Sequence, residues 1–222
     1  MPYRKVVFSP GEIYHLTNHG VGSQIIFKID YDYSAFIERI NFYRFQTGVR
    51  FSSFSGFSFK EKTVFLNNCR KNKKPLVKIL LFELLPNHFH LVVEEAQEKG
   101  TQIFMGNLQN SHARYFNVLN KRKGPLFQST FVAVHVVDDG QLMYLSGYVH
   151  TNAYAAFLIK KADLWNYRWS SLSSYIGLEP KYDFLEKEKV LSLFRNDKEK
   201  YKIYINQQAD FHKEKAILKN SS

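Results

Sequence analysis

Phe82-Glu-Leu-Leu-Pro-Asn-His-Phe-His-Leu-Val-Val93 decides how this chain is read. Pro86-Asn87 is a short turn between apolar runs, so residues 78–85 and 88–94 are expected to be two strands joined by a tight connection. Successive strand side chains point to opposite faces, which puts His88 and His90 on one face while Phe89 and Leu91 turn toward the core. Two imidazoles side by side can grip one metal ion. The same spacing also describes a half-buried, hydrogen-bonded pair beside a core.

Outward from this hairpin, Ile13-Tyr-His-Leu-Thr-Asn18 alternates as a short strand, and His19-Gly-Val-Gly22 forms a turn. Asp30 or Asp32 caps a helix whose apolar side is Phe36, Ile37, Ile40, Tyr43 and Phe45, ending at Gly48. Residues 48–75 mix Ser-Phe repeats with the basic cluster Arg70, Lys71, Lys73 and Lys74 and read as a solvated loop. A second helix is expected over 101–119, built on Ile103, Phe104, Leu108, Tyr115 and Phe116. Lys121, Arg122 and Lys123 favour its C-terminus, and Gly124 stops it.

A fourth strand is expected over 127–137. Asp138-Asp139 then caps a third helix through about 157, and a mixed-charge helical tail begins near Glu186. The order strand-helix-strand-strand-helix-strand predicts an α+β protein: a ferredoxin-like split βαβ antiparallel sheet with helices packed on one face, plus a C-terminal helical extension. Domain bounds follow as 8–160, with an insertion near 48–75, and an extension over 161–222.

The 222 residues are 45% hydrophobic and 16% aromatic, which excludes wholesale disorder. A net charge of +11 suits a polyanionic partner. No stretch approaches the roughly 20 apolar residues of a membrane span. One cysteine, Cys69, cannot form an internal disulfide, and the start Met1-Pro-Tyr-Arg-Lys lacks the apolar core of a signal peptide, so a cytoplasmic setting is expected. Lys219-Asn-Ser-Ser222 is expected to fray.

The third helix carries Tyr148-Val-His-Thr-Asn152, whose first and last residues are four apart and share a helix face. Taken alone, this is equally a half-buried tyrosine above a surface asparagine. Tyr144 lies one turn earlier and competes for the same face, and Tyr154 lies beyond. A tyrosine ionises near pH 10, so a nucleophilic Tyr148 needs a proton acceptor or nearby positive charge. His150 and Lys160 are close in sequence, and neither is assigned that role.

Pro86-Asn-His-Phe-His-Leu91 resembles the His-hydrophobic-His (HUH) motif of single-tyrosine transposases and is most similar to the REP-associated tyrosine transposases. Tyr148 to Asn152 resembles that family's Tyr-x-x-x-Asn arrangement, with Ala153 where the family often has proline. Gly124-Pro-Leu-Phe-Gln-Ser-Thr-Phe131 resembles its Gly-x-x-Trp/Phe-Gln segment, and Asp163-Leu-Trp-Asn-Tyr-Arg-Trp-Ser-Ser-Leu172 its Trp-Ser-Ser block. The likeness spans residues 8–178 apart from the insertion.

The resemblance implies a metal-dependent DNA-cleaving and rejoining enzyme. Tyr148 would be its nucleophile, with His88, His90 and Asn152 as ligands of Mg2+ or Mn2+ and a 5′-phosphotyrosine intermediate. Single-stranded or hairpin DNA of REP type is the implied partner. Arg70, Lys71, Lys73, Lys74, Lys121, Arg122 and Lys123 are candidate phosphate contacts. Related minimal transposases are dimers, whereas the extension here favours a monomer. Two alternatives stand beside this one: a domesticated hairpin-DNA-binding protein without turnover, and a metal-dependent hydrolase that forms no adduct. Trp165, Trp169 and Tyr175 are either core or a base-stacking platform. Gln128 is either structural or near the substrate.

Overall fold

The computed structural model describes residues 6–220, so the chain's first five residues and the expected fraying of Ser221 and Ser222 lie outside it. In chain order the elements are β1 (Ile13–His19), α1 (Asp30–Tyr43), α2 (Phe51–Ser55), α3 (Phe59–Asn72), β2 (Val77–Leu85), β3 (His88–Glu95), α4 (Gly100–Leu119), β4 (Val132–Val136), α5 (Asp139–His150), α6 (Asn152–Ala155), α7 (Leu172–Ile176), α8 (Glu188–Ser192) and α9 (Lys198–Asn220). The four strands form one antiparallel sheet in the order β2-β3-β1-β4. That is the order a split βαβ sheet requires, and the α+β class expected from the sequence is the class observed.

The chain resolves into two compact units, Met1–Lys78 with Pro86–His88 and Val93–His135, and Ile79–Leu85 with Phe89–Val92 and Val136–Ser222. In the first unit, the Gly11 N–H donates to the Glu95 carbonyl at 2.7 Å and the Gly20 N–H to that of Asn87 at 2.9 Å. Because these pairings are antiparallel, His19 falls opposite His88. Asp32, not Asp30, caps α1: its Oδ2 accepts from the backbone N–H of Lys28 at 2.6 Å and of Ile29 at 3.1 Å.

The loop expected over 48–75 is instead helical. Ser58 accepts from the Glu61 N–H at 3.3 Å while Glu61 accepts from the Ser58 N–H at 2.7 Å, a capping box that starts α3. Within the Ser-Phe repeats only Phe54 is buried, its ring 4.6 Å from that of Phe42 and 5.4 Å from that of Phe65. β4 also starts later than expected, at Val132. Before it, residues 126–128 are held by one isolated antiparallel bridge between Gly20 and Phe127, and the Asn18 side chain donates to the Gln128 carbonyl at 3.2 Å.

In the second unit the Trp-Ser-Ser block closes the free edge of β2. The Leu84 N–H donates to the Trp169 carbonyl at 2.8 Å and the Ser171 N–H to the Phe82 carbonyl at 2.9 Å. Tyr175 is fully buried and donates to the Leu80 carbonyl at 2.7 Å, whereas Trp165 and Trp169 are half-buried. Pairing an edge strand in this way removes its exposed N–H and C=O groups. α9 packs along α5, α6 and α7. Its approach depends on Gly147, where an added Cβ would meet Gln208 Cγ at 2.8 Å and Tyr204 Cε1 at 3.2 Å.

Candidate active site

In the first unit, the His19 and His88 rings stack with centroids 4.5 Å apart at 13°. His88 Nδ1 lies 2.7 Å from Asn87 Oδ1. An amide oxygen only accepts, so Nδ1 donates in this bond. Burial lowers the His19 pKa and favours its neutral form. Gln128 bonds β1 through its backbone, and its side chain is exposed.

Arg70, Lys71, Lys73 and Lys74 are exposed at the end of α3, and Lys121 and Lys123 are exposed after α4. Arg122 differs, because its guanidinium braces the loop by donating to Asn117 Oδ1 at 2.9 Å and to the Pro125 carbonyl at 2.7 Å.

In the second unit, Asp138 caps α5 by accepting from the Gln141 N–H at 2.7 Å. The helix does not run unbroken to residue 157: Thr151, at φ −113° and ψ 2°, interrupts it before α6. Even so, Tyr148 and Asn152 remain on one side, and the Asn152 side chain hydrogen-bonds the Tyr148 hydroxyl. The Tyr148 ring meets the His90 ring edge-on at 5.6 Å. Burial raises the Tyr148 pKa, the Asn152 bond opposes the rise, and the proximity of Tyr144 and Glu83 adds to it.

Two residues absent from the sequence-based site complete this surrounding. Glu83, fully buried on β2, accepts from the backbone N–H of Asn152 at 3.2 Å and of Ala153 at 3.4 Å. Burial pushes its carboxyl well above the usual range, and the two N–H bonds offset only part of that. An acidic residue within the apolar run Ile79-Leu-Leu-Phe-Glu-Leu-Leu85 was the available signal.

His212 comes from α9. Its ring is edge-on to Tyr148 at 5.6 Å and to Tyr144 at 5.5 Å, and its Nδ1 lies 2.8 Å from Thr151 Oγ1. Nothing in the local sequence of the tail marks it. His150 is occupied at both ring nitrogens, by the Tyr201 hydroxyl and by Ser171 Oγ, each at 2.7 Å. That sandwich makes His150 structural. Tyr144 is 43% exposed, and Tyr154 uses its carbonyl to accept from Lys213 at 2.9 Å.

Among the described residues, no helix is long and apolar enough to cross a membrane. No model of a known protein family and no curated protein matches the sequence. In three dimensions the chain is similar to a solved structure of a REP-associated tyrosine transposase bound to a REP hairpin, with a TM-score of 0.51 and 12% sequence identity over 84% of this chain and 98% of that one. At that identity the likeness is one of fold.

Proposed function

We propose that this chain is a metal-dependent single-stranded DNA endonuclease and strand transferase that acts through Tyr148, on hairpin DNA of the REP type. The observation that carries this reading is the Tyr148 hydroxyl held by Asn152 beside the His90 ring. The fold shared with the transposase structure and the net charge of +11 support it.

No group of three or more His, Cys, Asp or Glu able to hold a metal occurs among the described residues, and the third ligand proposed here is an asparagine. The donor chemistry fits a divalent cation. His88 and His90 offer imidazole nitrogens, and Asn152, beside the Tyr148 hydroxyl, offers an amide oxygen. His88, His90 and Asn152 would hold Mg2+ or Mn2+, with Mn2+ better matched to nitrogen donors. When bound, the cation neutralises charge on the scissile phosphate.

In the proposed reaction, Tyr148 Oη loses its proton and attacks the phosphorus. A tyrosyl O–P bond forms and the P–O3′ bond breaks, giving a 5′-phosphotyrosine and a 3′ hydroxyl that takes up a proton. Another 3′ hydroxyl reverses the step without ATP, because the ester conserves the bond. Burial keeps Tyr148 protonated at rest, and this favours a second reading, a hairpin binder without turnover.

A denaturing gel of end-labelled single-stranded hairpins incubated with protein and Mn2+ tests both. Label at protein mass in wild type, absent in Tyr148→Phe and in the His88→Ala/His90→Ala double variant, is the expected result. Cleaved DNA without an adduct would instead make the protein a hydrolase, and binding without cleavage would leave the binder.

A further inference from the structure

α6 closes at Phe157. The Phe157 N–H donates to the Tyr154 carbonyl at 3.1 Å and the Leu158 N–H to the Ala153 carbonyl at 3.0 Å, with Phe157 itself at φ +60°. This helix closure calls for a left-handed residue, which is why glycine is favoured there and a bulky side chain is disfavoured. Core burial does not compensate, since Phe157 is 53% exposed. Neither the backbone nor the core accounts for an aromatic ring at this position, and such outliers cluster where a ligand is held.

The ring borders an open cavity of about 770 Å3, also lined by Tyr154, Leu158, Lys160 and Lys213. Lys213 braces the aromatic wall from one side: its Nζ lies 3.1 Å from the Phe157 centroid and 4.7 Å from that of Tyr154. Lys161 is committed to Asp210 at 2.6 and 2.7 Å. Lys160 is exposed and makes no salt bridge among the described residues, so it supplies an available positive charge at the rim. Asp163, also in the lining, opposes anionic charge and so limits it to the Lys160 side of the cavity.

We propose that this cavity is a subsite for one unpaired base of a DNA strand, the base stacking on Phe157 and Tyr154 and its phosphate meeting Lys160. The inference rests on the DNA reading above and specifies it.

The test uses full-length protein carrying Tyr148→Phe, in EDTA, so that no strand is cut. The probe is a single-stranded oligonucleotide with 2-aminopurine placed at successive positions. In the parent protein one position is expected to be quenched. Phe157→Gly should weaken binding about tenfold, the scale of one base–aromatic stack, and abolish the quench. The same change relieves the left-handed φ, so its melting temperature should match or exceed the parent's, which separates a missing stack from a folding defect.

Phe157→Trp should restore binding, and Lys160→Gln should lower the salt dependence by about one phosphate contact. A Phe157→Gly protein that binds with unchanged affinity while the parent binds well overturns the subsite and leaves the DNA reading intact. A parent that binds neither this strand nor a REP-type hairpin overturns both.

Discussion

Thr151 Oγ1 and His212 Nδ1 lie 2.8 Å apart, and the hydroxyl's one proton is committed to the Gly147 carbonyl, also at 2.8 Å. The imidazole is therefore the donor: Nδ1 carries its proton, and the buried Nε2 is unprotonated and makes no hydrogen bond among the described residues. One bond thus ties α9 to the break between α5 and α6, beside Tyr148. Thr151→Val leaves the Nδ1–H without an acceptor and should cost about 1–3 kcal/mol, whereas Thr151→Ser should cost far less. Urea midpoints of the two variants check this, and a Thr151→Val protein as stable as wild type would show that the hydroxyl does not matter.

Gly147→Ala should destabilise by about 1–3 kcal/mol, because the new methyl would sit inside contact distance of Gln208 and Tyr204. Gly106 in α4 provides the control. Nothing lies within 4 Å of its virtual Cβ, so Gly106→Ala should stabilise by about 0.5–1 kcal/mol. Thermal melts of both variants would refute the close approach of α9 if Gly147→Ala stabilised the protein as Gly106→Ala does.

Glu83 makes stability fall as pH rises. Its folded pKa lies well above the ordinary 4.5, so the folded state holds the proton more tightly. The contribution is complete below about pH 4.5 and is lost as pH climbs toward the raised value. Glu83→Gln keeps an oxygen for the two backbone N–H groups and removes the ionisation. The variant should be more stable than wild type at pH 7.5, with the gap closing toward pH 4. A pH-independent gap would mean that Glu83 does not titrate in this window.

His112 and His150 act with the opposite sign. Burial lowers their pKa values from 6.5 to about 4 and about 3. Stability from keeping them neutral is complete above pH 6.5 and lost as pH falls toward those values, by about 3 kcal/mol for His112. His112→Gln should flatten the acid limb of stability against pH. An unchanged limb would assign acid sensitivity to other groups.

The basic residues should separate by role. Neutralising Lys71 and Lys74, both exposed on the α3 side, should reduce the slope of log affinity against log salt for single-stranded DNA by about 0.7 for each phosphate no longer neutralised. Arg122→Gln should leave that slope unchanged and lower the melting temperature, since its guanidinium is occupied by Asn117 and Pro125. A slope altered by Arg122→Gln and not by the lysines would reverse the assignment.

The α3 helix shows where local pattern was insufficient. Its Ser58-to-Glu61 capping box is written in the sequence, but its exposed, mixed surface gave no apolar stripe to set against the basic cluster at its end. The aromatic residues around Phe54 instead find partners in α1 through Phe42, a pairing that spacing along the chain cannot specify.

The sequence by itself determined the β-hairpin around Pro86-Asn87, the strand and helix order, and the common face of His88 and His90, because alternation, turn chemistry and helical period are local properties of the backbone. It also put Tyr148 and Asn152 four residues apart, where one helical turn can join them. Only the tertiary structure decided that Glu83 would hold the start of α6, that His212 would reach Tyr148 from a segment sixty-four residues later, and that His150 would be sealed between Tyr201 and Ser171. Those roles depend on which elements come together to satisfy buried polar groups, and that is settled by packing across long stretches of chain rather than by any window of neighbouring residues.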